Sequence, residues 1–248
     1  DEEVGCLGVQ PLIESIKNKI QEPKLVIVGE PTKLQIIDRH KSCHTYQTEF
    51  FGLKAHSCDP SWGCNAIYFA SIFIEKLKEI EIQLKEENRD ENFNPPYSTI
   101  NIGVIQGGNA HNIVPDYVKI LWQIRCLPES DHTILLKGLF ENIIPNIESD
   151  MKAKSKTAHI INRNISNILP LEKSTNSNIL DDLITKTNTP SGVSYGTDAG
   201  YFSNQGWQTI VCGPGDIEQA HKSDEYILIE DIKSGIRFVA NMVNSYLI

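Results

Sequence analysis

With 248 residues, 40% of them apolar, the chain is long enough to bury a substantial core as one large or two ordinary domains. Its 32 acidic against 23 basic side chains, a net charge of -9, and the lack of any Lys/Arg-rich or basic-aromatic run argue against nucleic acid as a partner and leave small polar or charged molecules. The six cysteines are scattered without a CxxC pair, which predicts reduced thiols in a cytoplasmic protein; no uncharged apolar run approaches the roughly 20 residues that cross a membrane, and Asp1-Glu2-Glu3 lacks the basic flank and apolar stretch of a signal peptide.

Leu12, Ile13, Ile16 and Ile20 recur at helical spacing over residues 11–20, and Pro23 stops the run. Residues 24–28 read as a buried strand ending in Gly29-Glu30-Pro31-Thr32. A helix followed by a buried strand predicts a parallel α/β sheet, whose ligands gather outside the carboxyl ends of the strands; Glu30 belongs at that edge. From about His40 the pattern becomes strand (43–53), long helix (65–87), strand (99–105), strand (117–126), helix (133–151) and strand (157–165). That β-α-β-β-α-β order is the split βαβ, ferredoxin-like arrangement. It predicts an inserted domain over 41–165 and a first domain made of 1–40 and 166–248. After Pro170 the signal returns to helix (179–186), strand (208–212) and a final helix (229–246) with Ile232, Ile236, Val239, Ala240 and Val243 on one face. The polar stretch 84–96 reads as a charged helix end running into a solvated loop.

Gly213-Pro214-Gly215 must break the apolar strand before it, so His221 follows in a loop at the sheet edge, as a metal ligand or as a solvated side chain. Glu2, Glu3, Glu30 and His221 together offer the carboxylate and imidazole donors that suit Zn²⁺, Co²⁺ or Mn²⁺. In a Glu-Glu pair one carboxylate can bind metal while its neighbour stays free as a base; the pair is equally an ordinary acidic segment. His56 follows the first strand of the inserted domain, as a catalytic donor or as part of a turn capped by Ser57 and Asp59. Asn112, after Gly107-Gly108, sits between two strands, where its amide meets a ligand or simply completes a hairpin. Arg125 lies at an alternating strand position, as a carboxylate clamp or a surface ion pair. Tyr195-Gly196-Thr197-Asp198-Ala199 is a turn carrying a hydroxyl and a carboxylate.

Together these pieces resemble the M20 family of metallopeptidases and amidohydrolases. The matching motifs are Asp1-Glu2-Glu3, Gly29-Glu30-Pro31-Thr32, His40-Lys41, Gly52 to Pro60 with Gly63-Cys64-Asn65-Ala66-Ile67, Gly107 to Pro115, Arg125 to Pro128, Gly196-Thr197-Asp198-Ala199 and Gly213 to Tyr226. They span nearly the whole chain, and the last is the pattern of the branch that deacetylates acetylornithine. The resemblance implies an α/β metallopeptidase-type catalytic domain, partial and discontinuous, with an inserted ferredoxin-like lid and dimerisation domain. It implies Glu2 as general base, Glu3, Glu30 and His221 as metal ligands, and His56 as a lid residue that stabilises an oxyanion in the partner subunit. Asn112, Arg125, Thr197, Asp198 and Gly213 are the implied substrate-binding residues.

The resemblance further implies two Zn²⁺ per full-length subunit, with Co²⁺ as a substitute, and a homodimer formed through the lid. The implied reaction turns N2-acetyl-L-ornithine into ornithine and acetate in arginine biosynthesis. Desuccinylation of succinyl-diaminopimelate is the alternative reaction, and an inactive fragment serving as a dimerisation or binding module is the alternative of another class. The family's first metal motif, His-x-Asp, and its metal-bridging Asp belong upstream of the Glu-Glu pair, where only Asp1 stands. The chain is therefore expected to be the C-terminal two thirds of an enzyme, with an incomplete site. Ser42 replaces a usual Gly, Cys58 a common Ser, and Asp198 the Glu more frequent in deacetylases.

Overall fold

The computed structural model describes residues 5–173, 183 and 191–246. Glu2, Glu3 and all of the helix expected over 179–186 except Leu183 lie outside the described residues. In chain order the elements are α1 (Val9–Ile16), β1 (Val26–Val28), β2 (Ile37–His40), β3 (Cys43–Phe51), β4 (Ala55–His56), α2 (Ala66–Glu86), β5 (Thr99–Gly107), β6 (Ile113–Val114) and β7 (Tyr117–Arg125). They continue with α3 (His132–Leu135), α4 (Ile144–Lys154), β8 (His159–Ile168), β9 (Ser191–Val193), α5 (Ala199–Ser203), β10 (Thr209–Val211) and α6 (Ile229–Tyr246). Asn65 caps α2, its Oδ1 accepting from the Ile67 and Tyr68 amides at 2.9 and 3.3 Å. The helix expected over 133–151 is broken: a π-helical turn over Leu139–Ile143 separates α3 from α4. Pro145, in the first turn of α4, has no amide hydrogen to continue the ladder, and the preceding turn widens.

The chain divides into two compact units. The first holds the described residues up to Ser42, Asn92–Asn94 and those from Ile168 onward. Its sheet has the order β1-β10-β2-β9. β1 runs parallel to β10 with Val28 opposite Val211, β2 runs parallel to β9, and β10 meets β2 antiparallel. The sheet is thus mixed where the sequence predicted a parallel one, because β2 follows β1 by a tight return through Lys33 and Leu34, both with positive φ. One apolar cluster joins Ile36, Ile210 and Cys212 to Phe238, Met242 and Tyr246 of α6; another joins Cys6, Val9 and Ile13 to Tyr201 and Trp207. The face of α6 bearing Ile232, Ile236, Val239, Ala240 and Val243 is exposed, opposite to the burial its apolar spacing suggests.

Asn92–Asn94 belongs to this first unit as a strap. Gly192 N–H donates to the Asn92 carbonyl (3.2 Å), the Ser194 hydroxyl donates to the Asn94 carbonyl (2.8 Å), and the Lys41 ammonium lies 5.8 Å from the centre of the buried Phe93 ring. The stretch read as a solvated loop therefore holds one core residue, an aromatic hidden among charges.

The second unit comprises Cys43–Glu91 and Pro95–Asn167. Its sheet has the order β5-β7-β3-β8, the ferredoxin-like arrangement, with β3 and β5 both antiparallel to β7. Alternate residues of β3 and β7 point inward, and Tyr46, Phe50, Ile120 and Trp122 meet Phe73 and Leu77 of α2 and Met151 of α4. The Trp122 indole N–H donates to Thr48 Oγ1 (2.9 Å), which donates to Asn162 Oδ1 (2.7 Å), so the buried polar atoms are paired. Among the described residues no helix is long and apolar enough to cross a membrane, and none of the six cysteines is joined in a disulfide.

Candidate active site

The carboxyl ends of β1 and β10 are joined by backbone contacts that position Glu30. Gly29 directly follows β1 and Gly213 lies two residues beyond β10, and at Gly213 a Cβ would lie 2.6 Å from the Glu30 carbonyl oxygen, too close for any side chain. The Gly213 carbonyl accepts from the Thr32 and Leu34 amides (3.2 and 2.9 Å), and its own N–H donates to Thr32 Oγ1 (3.2 Å). The Lys33 N–H donates to the Gly215 carbonyl (2.8 Å), and its ammonium pairs with Asp216 at 2.7 Å. Both backbone groups of Gly213 are therefore engaged in holding the Glu30 loop. His221 follows the short turn Ile217–Gln219, is exposed, and has φ 62, a left-handed conformation costing a non-glycine residue about 1 kcal/mol or more. Its N–H donates to Glu225 Oε2 at 3.2 Å.

Tyr195 ties a second group of residues to Glu30. Burial and then the Glu30 carboxylate push its phenol up to about 12, so it stays protonated. Two residues on, Thr197 is buried against His40, with Oγ1 and Nε2 3.1 Å apart. The Lys41 carbonyl can only accept, so the neutral imidazole carries its proton on Nδ1 and donates it there (3.0 Å); Nε2 then accepts the Thr197 hydroxyl hydrogen, while Thr197 Oγ1 accepts from the Ala199 N–H (3.1 Å). Burial drives His40 down to about 4 and keeps this tautomer neutral. The next residue, Asp198, has a buried Oδ1 with no hydrogen-bond partner among the described residues. A buried, unpartnered carboxylate oxygen is rare in a folded chain and calls for a donor or cation. The sequence singled out Thr197 and Asp198, and His40 within the His40-Lys41 motif; it did not foresee that His40 pairs with Thr197.

In the second unit the two-residue ladder of β4 and β6 brings His56 and Asn112 together. His56 pairs with Ile113, and the Ser57 N–H donates to the Asn112 carbonyl (3.1 Å). The Cys58 N–H donates to His56 Nδ1 (3.0 Å), so a neutral His56 carries its proton on Nε2 and presents it to solvent as a donor. Arg125 is not part of this group. It ends the nine-residue β7, whose other end, Tyr117, follows Asn112 closely, a separation of roughly 27 Å along the strand.

Among the described residues no three His, Cys, Asp or Glu side chains are grouped to hold a metal ion. Of the expected ligands Glu30 and His221 are described and Glu3 is not. Glu30 is a half-buried carboxylate and His221 an exposed imidazole, on the loops that follow two neighbouring parallel strands. By donor chemistry and by place these two fit a divalent cation.

Comparison with known proteins agrees with this architecture. Residues 39–148 match the M20 peptidase dimerisation domain. The acetylornithine deacetylase of Myxococcus xanthus is 31% identical over 237 residues, covering 94% of this chain and 59% of the relative. That of Aliivibrio fischeri is also 31% identical, over 248 residues, 98% of this chain and 62% of the relative. The chain thus spans about three fifths of the length of the curated relatives it matches. The aminopeptidase PepT of Bacillus cereus superposes with a TM-score of 0.73 at 21% identity, over 98% of this chain and 61% of that one, which concerns the fold. The motif set, the fold and the breadth of these matches agree: the chain carries an M20 peptidase dimerisation domain and is similar to acetylornithine deacetylases over nearly its whole length.

Proposed function

We propose that the chain is the larger part of a divalent-metal-dependent amidohydrolase that removes the acetyl group from N2-acetyl-L-ornithine, yielding ornithine for arginine biosynthesis. The observation that carries the substrate side of this reading is the buried, unpartnered Asp198 oxygen, three residues from the phenol that feels Glu30. The side-chain ammonium of acetylornithine is the group that oxygen lacks, and a charge-assisted hydrogen bond there would be strong. Similarity to acetylornithine deacetylases over 94–99% of this chain supports the same substrate.

Glu30 and His221, together with Glu3, would hold the metal, with Zn²⁺ or Co²⁺ as the ion. A bound divalent ion supplies a water of lowered pKa and polarises the amide carbonyl. Glu2 is assigned the base that takes the proton from the attacking water and returns it to the leaving amine. His56, with its Nε2 proton presented outward, is suited to meet the tetrahedral oxyanion, a contribution of about 3 kcal/mol for one well-aimed donor. The separation of His56 and Asn112 from Arg125 along β7 supports separate roles for the two groups, as a homodimer formed through this domain would allow.

The test is steady-state kinetics on a polypeptide extended to the length of the relatives. Asp198→Asn should raise KM for N2-acetyl-L-ornithine at least tenfold while leaving N-acetyl-L-methionine, which has no side-chain amine, nearly unchanged. Equal effects on both substrates would remove Asp198 from amine recognition. Preference for N-succinyl-diaminopimelate would replace the deacetylase reading with the desuccinylase.

A further inference from the structure

We propose that His40 is a positioning residue for amine recognition: its imidazole fixes the Thr197 hydroxyl, which takes over the capping of α5 and leaves the Asp198 carboxylate free for the side-chain ammonium of the substrate. The inference rests on the reading of Asp198 given above.

The main chain around His40 has little freedom. His40 ends β2 and pairs with Val193 of β9 and with Leu171, its N–H donating to the Leu171 carbonyl (3.1 Å) and its carbonyl accepting from the Leu171 N–H (3.2 Å). β9 ends four residues before Thr197, and His40 and Thr197 are both buried. The stretch that grips His40 also grips α5, because a Cβ at Gly200 would lie 2.1 Å from the Leu169 carbonyl oxygen. Imidazole and hydroxyl thus meet between two anchored segments, with Nε2 3.1 Å from Oγ1.

The hydroxyl does more than satisfy a buried imidazole. Its hydrogen goes to Nε2 and its lone pair accepts the Ala199 N–H (3.1 Å), which closes a short ring around Asp198 at the start of α5. An Asp in the residue before a helix ordinarily caps it with its own carboxylate. Asp198 makes no such bond, and its Oδ1 is buried with no hydrogen-bond partner among the described residues. A buried carboxylate oxygen kept unpaired in this way costs stability, and a bound ammonium offsets that cost. Without an acceptor at position 40 the Thr197 hydroxyl is released to rotate, and Asp198 turns to the amides at the start of α5, the competing bond that Asp makes most readily. Amine recognition then weakens although Asp198 itself is intact.

The experiment takes the Zn²⁺-loaded polypeptide extended to the length of the relatives and compares kcat/KM for N2-acetyl-L-ornithine with that for N-acetyl-L-methionine. His40→Leu should lower the preference for acetylornithine at least fivefold, the loss falling on KM rather than kcat, and should speed hydrogen exchange at the Ala199 amide. His40→Gln, whose amide oxygen can take the Thr197 hydrogen, should keep the preference within twofold of the parent. Thr197→Val, of the same shape without the hydroxyl, should repeat the effect of His40→Leu, and the two together should cost no more than either alone. Thr197→Val also carries the test if His40→Leu does not fold. Equal losses on both substrates, a Gln variant as poor as the Leu variant, additive effects, or an Ala199 amide that exchanges as in the parent would each overturn the proposal. Asp198→Asn tells the two readings apart. If it abolishes the preference while His40→Leu and Thr197→Val spare it, the positioning role alone falls; if it spares the preference, the amine reading falls and the positioning role with it.

Discussion

At the residue scale the site depends on a few atoms held where they have little freedom. Gly213 is the clearest. Its missing side chain lets the loop after β10 pass against the Glu30 backbone, and Gly213→Ala forces a Cβ to within 2.6 Å of a carbonyl oxygen. Urea unfolding should register a loss of about 1–3 kcal/mol, the usual cost of overpacking, and the displaced Glu30 should weaken metal binding as well. An unchanged midpoint would mean that the loop slides freely and that Gly213 does not position Glu30. Glu30 and His221 could be picked out in the sequence as candidates, because each follows an apolar run broken by glycine. What Gly213 does could not, because a close approach between loops 181 residues apart leaves no local trace. The same holds for the pairing of Thr197 with His40, which are 157 residues apart.

At the element scale, periodicity foretold the long members well: the capped α2, the alternating β3 and β7, and the bounds of α6. It missed β2, β9 and α5, each five residues or fewer and too short to show a period. The apolar face it marked on α6 is the exposed one, because spacing shows which residues share a face and not what that face meets. The strap Asn92–Asn94 was hidden for another reason, since the charged residues around Phe93 set the average. Phe93→Ala should cost the first unit about 3 kcal/mol and speed exchange of the Gly192 amide, which donates to the Asn92 carbonyl. A loss below about 1 kcal/mol with Gly192 still protected would show that the strap is dispensable.

For the whole molecule, pH is the condition that probes both units together. Burial is the first cause that holds His40, in the first unit, and His44, in the second, down to about 4, against an ordinary value near 6.5. The unfolded chain therefore takes up protons below pH 6.5 that the native state refuses. Stability should be level above pH 6.5 and fall as pH drops toward 4, with His40 alone contributing on the order of 3 kcal/mol at the lower limit. His40→Gln, which keeps one donor and one acceptor, should flatten that slope by about one proton; an unaltered slope would mean that His40 titrates normally.

The account as a whole stands on metal-dependent amide hydrolysis by the assembled polypeptide. The most direct measurement is acetate release from N2-acetyl-L-ornithine by the chain extended to the length of its relatives, stripped of metal with a chelator and then reloaded with Zn²⁺ or Co²⁺. The account predicts no turnover when stripped and restored turnover on reloading. Turnover that survives removal of the metal, or none after reloading, would contradict it.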